Sequence, residues 1–307
     1  MVITKFSLNS HEVEVDGVAD GENVFIGAII EHIENAGVHF GDATMAIPSL
    51  TLSRRVQKNI KETTAKIALG LNIKGPFNIQ YLCKNYNEIF VIECNLRASR
   101  SMPFVSKTTE VNLMELAAKV ALGSKINPGV AVPKRYGVKS PVFSFMRLEK
   151  AEPLTGVEMA STGEVACFGD NFREAFLDSL VASGVRLPET GDSMLVTVGG
   201  DKSRAVEIAW KAHVKGFKIY ATKHTAEALY ENGVPCITVY KVSEEGDPSI
   251  LDLLDHKELK LVINTPNIET ADSQVISDGY LIRRKTVELG VPLITNLELA
   301  GMLIDML

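Results

Sequence analysis

Apolar and polar residues alternate over residues 12–18, and an apolar, β-rich run follows over 23–33. Alternation of this kind sets one face of a strand in a core and leaves the other polar. From 52 to 71 the apolar residues Leu52, Val56, Ile60, Ile67 and Leu71 fall at helical spacing. Two β-rich runs, 77–84 and 89–95, flank Asn85-Tyr86-Asn87-Glu88 and predict a hairpin whose last pair is Lys84 with Ile89. Asn112 followed by Glu115 is a capping signal for a helix ending near Gly123.

The texture changes after residue 124. Pro128, Pro133, Pro141 and Pro153 interrupt any regular pattern. A helix follows over 173–183, and 185–192 reads as a boundary. Strands are expected at 194–198, 217–221, 236–240, 259–264 and 292–295. Helices are expected at 202–214, 225–230, 249–256, 280–289 and 296–306. Regular alternation of five strands with helices predicts a doubly wound parallel α/β sheet. The expected sections are 1–124, 125–190 and 191–307.

Composition narrows the function classes. Of 307 residues 46% are hydrophobic and 23% charged, which is ordinary for a folded chain and excludes a disordered one. Asp+Glu exceed Lys+Arg by 38 to 32, for a net charge of −6. A general nucleic-acid binder needs a basic surface, so nucleic acid is not an expected partner. No apolar run reaches membrane-spanning length, and MVITKFSLNS carries no leader pattern. Cys83, Cys94, Cys167 and Cys236 are scattered, which points to a reducing compartment: the cytoplasm, with the mitochondrion as alternative.

Two regions hold candidate chemistry. In open α/β sheets ligands gather beyond the carboxyl ends of the strands. Those ends carry Gly199, Gly200 and Lys202, then Thr222 and Thr225, Lys241, Asn264 and Asn267. Thr222 and Thr225 flank a helix start, where hydroxyl and N–H groups hold anions; the plainer alternative is that Thr225 caps its helix. In the hairpin, the expected register sets Gln80 opposite Glu93, with Asn95 on the same face. Three oxygen donors there suit Mg²⁺, and Arg97 and Arg100, next along the chain, suit phosphate. The plainer alternative is a wet hairpin face with two surface arginines.

The run FNIQYLCKNYNEIFVIECNLRASRSMPFVSK (77–107) closely resembles the second ATP-grasp unit of the carbamoyl-phosphate synthase large chain. So do GVADGENVFIGAIIEHIENAGVHFGDAT (17–44) and EMASTGEVACFG (158–169), and the last section resembles that chain's methylglyoxal-synthase-like allosteric domain. The resemblance implies a partial ATP-grasp α+β domain followed by a five-stranded parallel α/β domain. It implies that Gln80, Glu93 and Asn95 ligate Mg²⁺ or Mn²⁺. It implies that Gln80 and Glu93 also line the ATP site with Glu12 (ribose), Gly37, Val38, His39 and Phe40, the last at a position where the family often has serine. Arg97 and Arg100 are implied as the phosphate-contacting, catalytic arginines. The implied reaction phosphorylates carbamate with ATP to give carbamoyl phosphate, on the route to pyrimidines and arginine.

In the allosteric section the resemblance assigns Lys202, Thr222, Thr225, Lys241, Asn264 and Asn267 to an anionic effector. Lys241 resembles forms controlled by nucleotides, whereas forms controlled by N-acetylglutamate carry an aromatic residue there. Gly279 stands in place of an asparagine of those latter forms. Thr265 stands where a methylglyoxal synthase has an acidic residue, which argues against lyase activity. At the front, Val2-Ile3-Thr4-Lys5-Phe6 resembles a strand in the middle of the ATP-grasp unit. The expected partners are therefore the upstream part of a large chain and a glutamine amidotransferase subunit or domain, and the chain alone is expected to be inactive. The competing expectation is an effector-binding module with no catalysis of its own.

Overall fold

The computed structural model describes residues 10–85, 87–148, 150–266 and 277–307. The strand expected at residues 2–6 lies outside them. The chain forms two compact units. One runs to Pro141 and takes in Glu164–Ala182; the other is Val142–Gly163 with Ser183–Leu307. The stretch 125–190, which reads in sequence as a separate section, is divided between the two.

The first unit contains β1 (Ser10–Asp20), β2 (Val24–Asn35), β3 (Met45–Ile47), α1 (Arg54–Gly70), β4 (Lys74–Lys84), β5 (Glu88–Asn95), α2 (Met102–Thr109), α3 (Leu113–Ala121), β6 (Gly129–Val130), β7 (Tyr136–Val142), β8 (Gly163–Gly169) and α4 (Phe172–Ala182). Among the described residues the sheet order is β5-β4-β1-β2-β3-β7-β8, with β6 parallel to β2. β1 sits centrally, antiparallel to both β2 and β4.

Period two decides which face each side chain takes. Val13 and Val15 of β1 and Phe77, Ile79, Tyr81 and Cys83 of β4 are fully buried in one cluster with Val56 and Ile60 of α1. The intervening residues Glu12, Glu14, Asp16, Asn78 and Gln80 therefore share the opposite face. Farther along, that face is covered by Met102, Phe104 and Val105 of α2 and Leu113 of α3, which pack on Val18, Ala28 and Ile30. The α1 stripe is Val56, Ile60, Thr64 and Ala68, while Leu71, expected on it, is 58% exposed because the helix stops at Gly70. Ser53 starts α1 by accepting the Val56 N–H (3.3 Å), and Asn112 starts α3 by accepting that of Glu115 (3.1 Å).

The second unit carries β9 (Ser193–Val198), α5 (Ser203–Val214), β10 (Lys218–Thr222), α6 (Lys223–Glu231), β11 (Ile237–Val239), α7 (Ile250–Asp255), β12 (Leu259–Thr265), α8 (Asp278–Glu288), β13 (Leu293–Ile294) and α9 (Leu297–Met306). Its sheet is parallel throughout, in the order β11-β10-β9-β12-β13. This is the doubly wound sheet the sequence predicts. Its strand order reverses between β9 and β12, so the switch-point crevice opens beside Thr197–Gly200 and Asn264–Thr265.

Gly17 marks how closely β1 is packed. A Cβ there would lie 2.5 Å from Phe77 Cζ and 2.9 Å from the Phe25 carbonyl oxygen. Gly17→Ala is expected to destabilise the first unit by ~1–3 kcal/mol through overpacking, measured as a lowered urea midpoint at unchanged slope. An unaltered midpoint would show that the β1–β4 packing yields freely.

Candidate functional site

The hairpin sets the first three candidates. Its last pair is Lys84 with Glu88, one residue tighter than the expected Lys84–Ile89, and Asn85 takes a left-handed conformation (φ 48°) to make the shorter turn. Tyr81 then pairs with Val91, but Gln80 pairs with Glu93, so Ile92 is an extra residue in β5. This β-bulge restores the predicted register beyond it. Gln80 lies opposite Glu93, Asn78 lies opposite Asn95, and Asn95 Nδ2 donates to Glu93 Oε1 at 2.7 Å. The structure thus gathers Gln80, Glu93 and Asn95 on one face, an all-oxygen set of the kind hard divalent cations prefer. Arg97 and Arg100 follow β5 directly, exposed.

The other nucleotide candidates cluster where β1 and β2 meet. The Gly37 N–H donates to Glu12 Oε1 (3.3 Å), and Glu12 Oε2 is 3.7 Å from His32 Nδ1. His39 Nδ1 accepts the Gly41 N–H (3.0 Å), and the His39 ring lies 4.2 Å from that of Phe40. Phe40 packs on the Met45–Met102 cluster, and its carbonyl takes Lys139 Nζ at 3.4 Å. Val38 is half-buried.

Of these candidates, Phe40, Arg97 and Arg100 line a cleft in the first unit, whereas Gln80, Glu93, Asn95, Glu12, Gly37, Val38 and His39 do not. The cleft is lined by Glu14, Phe40, Gly41, Met45, Asn78, Arg97, Ser99, Arg100, Ser101, Lys139 and Glu164. Several of these escaped sequence reading. Glu14 accepts from Asn78 Nδ2 (3.1 Å) and lies 3.1 Å from His32 Nε2. Burial disfavours its charge, yet the His32 contact and the Asn78 hydrogen bond outweigh that and hold its carboxyl below the usual range. Asp16 has no exposed surface and accepts from Asn78 Nδ2 (3.0 Å), Ser99 Oγ (2.7 Å) and Ser101 Oγ (2.7 Å). Burial, with the nearby Glu14 charge, pushes its carboxyl up to about 6. Lys139, on β7 and 3% exposed, lies 3.5 Å from Glu164 of β8, and burial lowers its ammonium. The alternation of Glu12, Glu14 and Asp16 was the available signal for the acidic row. Lys139 had none, because prolines hid β7.

In the second unit Lys202, Thr222, Thr225 and Asn264 lie at or just beyond the carboxyl ends of β9, β10 and β12. Thr222 Oγ1 is 3.0 Å from Thr197 Oγ1, and Thr225 Oγ1 accepts the Val198 N–H at 3.2 Å. Thr222 occupies the α6 N-cap without a side-chain capping bond. Thr225 therefore braces the β9 end and does not cap its own helix. Lys202 Nζ donates to the Gly200 carbonyl (2.9 Å). Asn264 Oδ1 is held by Arg283 Nη1 at 2.6 Å, and Arg283 Nε reaches Glu152 at 2.7 Å. Lys241 follows β11, one strand beyond β10, and its backbone N–H donates to Glu244. Asn267 lies outside the described residues.

Residues 1–128 match the carbamoyl-phosphate synthase L chain, ATP binding domain, and residues 204–295 match the MGS-like domain. A carbamoyl phosphate synthase large chain, C-terminal section, of Methanocaldococcus jannaschii is 40% identical over 97% of this chain and 50% of its own length. The mitochondrial carbamoyl-phosphate synthase [ammonia] of Homo sapiens is 42% identical over 97% of this chain, and the multifunctional protein pyr1-3 of Dictyostelium discoideum 44% over all of it. The chain spans only 20% and 14% of those two proteins. Among solved structures, the biotin carboxylase subunit of a pyruvate carboxylase overlaps 58% of this chain and 46% of its own at 13% identity, with a TM-score of 0.48. The chain is thus an ATP-binding domain joined to an MGS-like one. Over 97–100% of its length it is similar to carbamoyl-phosphate synthases, and it spans half or less of each of these relatives.

Asp16 gives this site a pH signature. The unfolded chain releases the Asp16 proton near 3.8 and the folded one near 6, so between those values the folded state binds more protons and this group's contribution falls as pH rises. Asp16→Asn is expected to gain stability on the parent chain across that window, by up to about 3 kcal/mol, read from urea unfolding at pH 4, 5, 6 and 7. A difference that stays flat with pH would mean Asp16 ionises normally.

Proposed function

We propose that the first unit carries the phosphate-binding half of an ATP-dependent carbamate kinase step, and that the chain performs it when the rest of a large chain is supplied. Gln80, Glu93 and Asn95 would hold Mg²⁺, with Mn²⁺ as the alternative occupant. The ion supplies charge neutralisation for the polyphosphate when bound. Glu12 would take the ribose, and residues 37–40 the rest of the nucleotide pocket. Phe40 replaces a hydroxyl with a ring, so any contact at that position would come from its backbone.

Arg97 and Arg100 would neutralise the oxygens of the phosphoryl group in flight, and a planar guanidinium fits two such oxygens at once. Phosphoryl transfer demands little of the protein beyond alignment and charge stabilisation. The carbamate oxygen attacks the γ-phosphorus, the bond to the β-bridging oxygen breaks, and ADP leaves. The convergence of Gln80, Glu93 and Asn95 on one face, two residues before Arg97, carries this assignment. Similarity over 97% of this chain to half of a carbamoyl phosphate synthase large chain, C-terminal section, supports it. A glutamine amidotransferase partner would deliver the ammonia that, combined with a carboxyl group derived from bicarbonate in the rest of the large chain, gives the carbamate.

The second unit is proposed to bind an anionic effector, a phosphorylated nucleotide, at the switch point. Thr222, Lys202, Lys241, Asn264 and Asn267 would contact it, with Thr225 bracing the pocket from below. A purely regulatory role for the chain is the second reading, supported by the match of residues 204–295 to the MGS-like domain.

Two measurements test these assignments. Mixed with a purified upstream fragment, the chain is expected to form ADP and carbamoyl phosphate, and Glu93→Ala, on an exposed strand, is expected to lower the rate at least ~100-fold. Carbamoyl phosphate made by the lone chain, or an active Glu93→Ala mixture, would overturn the first proposal. For the second, Thr222→Val is expected to weaken calorimetric binding of a nucleoside monophosphate about tenfold with little change in melting, whereas Thr225→Ala destabilises the unit by ~1–3 kcal/mol. Equal nucleotide affinity in Thr222→Val would remove that hydroxyl from the site.

A further inference from the structure

The segment between β5 and α2, which carries both candidate catalytic arginines, has neither helical nor strand structure over residues 96–100. Its placement comes from below. Ser99 Oγ and Ser101 Oγ each donate to Asp16, at 2.7 Å to Oδ1 and 2.7 Å to Oδ2, and the two hydroxyls are 2.9 Å apart. Ser99 Oγ also accepts the Met102 N–H (3.1 Å), which ties the same point to the start of α2. Arg100 therefore stands between two residues anchored on one carboxylate, and Arg97 stands two residues before the first anchor.

A carboxylate suits this task for a specific reason. It is acceptor-only, so both oxygens take hydroxyl donors together and both serines are held in one orientation. Its hydrogen bonds are charge-assisted and short. An asparagine in its place would offer one acceptor and one donor, forcing one serine hydroxyl to turn round. The third partner, Asn78 Nδ2, fixes the carboxylate from β4 (3.0 Å) while also holding Glu14 (3.1 Å). The anchor thus joins the rigid sheet directly to the arginine segment.

We propose that Asp16 is a positioning residue for phosphoryl transfer, acting through Ser99 and Ser101 to hold Arg97 and Arg100 over the cleft. This inference rests on the phosphoryl-transfer proposal above, since positioning matters only if the arginines meet a phosphoryl group. Misplacing such groups by about an ångström lowers rates about 100-fold while leaving nucleotide binding largely intact.

The test uses the chain assembled with the rest of the large chain, with kcat and the KM for ATP measured for Asp16→Asn, for Ser99→Ala with Ser101→Ala, and for all three changes together. Each alteration alone is expected to lower kcat about 100-fold with KM moved less than threefold. The triple variant is expected to be no slower than either, because all three changes cut the same tether. Ser99→Thr with Ser101→Thr keeps both hydroxyls and is expected to stay near the parent rate. Parent kcat in Asp16→Asn, or losses that multiply in the triple variant, would overturn the proposal. Should Asp16→Asn fail to fold, the serine variants carry the same comparison. If the unaltered assembly makes no carbamoyl phosphate, the phosphoryl-transfer proposal has failed. The anchor is then judged by hydrogen exchange of residues 96–102 in the chain, where protection unchanged by the serine substitutions would overturn it.

Discussion

Everything in the first unit depends on the antiparallel register of β1 between β2 and β4. Because strand side chains alternate, one register puts Val13, Val15, Phe77, Ile79 and Tyr81 under α1 and puts Glu12, Glu14, Asp16, Asn78 and Gln80 together on the other face. A slip by one residue would exchange the sets, placing five polar groups beneath α1 and taking Glu14, Asp16 and Asn78 from their hydrogen-bond partners. Hydrophobic burial on one face therefore enforces polar convergence on the other. The candidate metal ligands, the arginine anchor and the nucleotide contacts all inherit their positions from that requirement.

The sequence made much of this legible, and its failures have physical causes. The alternation over 12–18 and the β-rich runs 77–84 and 89–95 announced the three strands. The turn is one residue tighter than its sequence suggests, because Asn85 adopts the left-handed conformation that lets Lys84 pair with Glu88. The unforeseen bulge at Ile92 cancels that offset, which is why Gln80 faces Glu93 after all. β7 and β8 were illegible for a different reason. Pro141 looks like a strand breaker, but β3 pairs only with residues 137–139, so the missing N–H at Pro141 falls where β3 no longer makes demands. With β7 hidden, Lys139 had no place in the expected site, although Glu164 lay within a recognised motif.

The second unit shows the opposite balance. Its five parallel strands were readable as compact apolar runs, and their order follows from ordinary crossover rules. Its side-chain chemistry was less readable. Sequence alone offered anion binding or helix capping for the threonines, and the structure divides the roles: Thr222 faces Thr197 across the β9–β10 boundary, while Thr225 satisfies the Val198 N–H. Asn264 stood in sequence as a lone polar residue at a strand end. Its partner Arg283 is nineteen positions away on α8 and almost fully buried, so spacing gave no hint of the pair. Arg283 also grips Glu152, and Arg284 donates to the carbonyls of Phe145, Leu148 and Ala151. Two successive arginines thus fix the excursion between β7 and β8 onto the helix that orients a candidate effector contact.

The buried polar row of the first unit raises the question of why it tolerates two carboxylates, Glu14 and Asp16, one pleat apart. Burial disfavours both charges, and each raises the other's proton affinity. The structure resolves this unequally. Glu14 has His32 and Asn78 and stays ionised, whereas Asp16 has only neutral donors and keeps its proton to about pH 6. Replacing the row with apolar residues would relieve that tension. It would also free the segment that carries Arg97 and Arg100, which no strand or helix holds. The row is therefore better understood as scaffolding for the arginines than as a contribution to stability, and its strain as the physical consequence of placing fixed acceptors beneath a cationic loop.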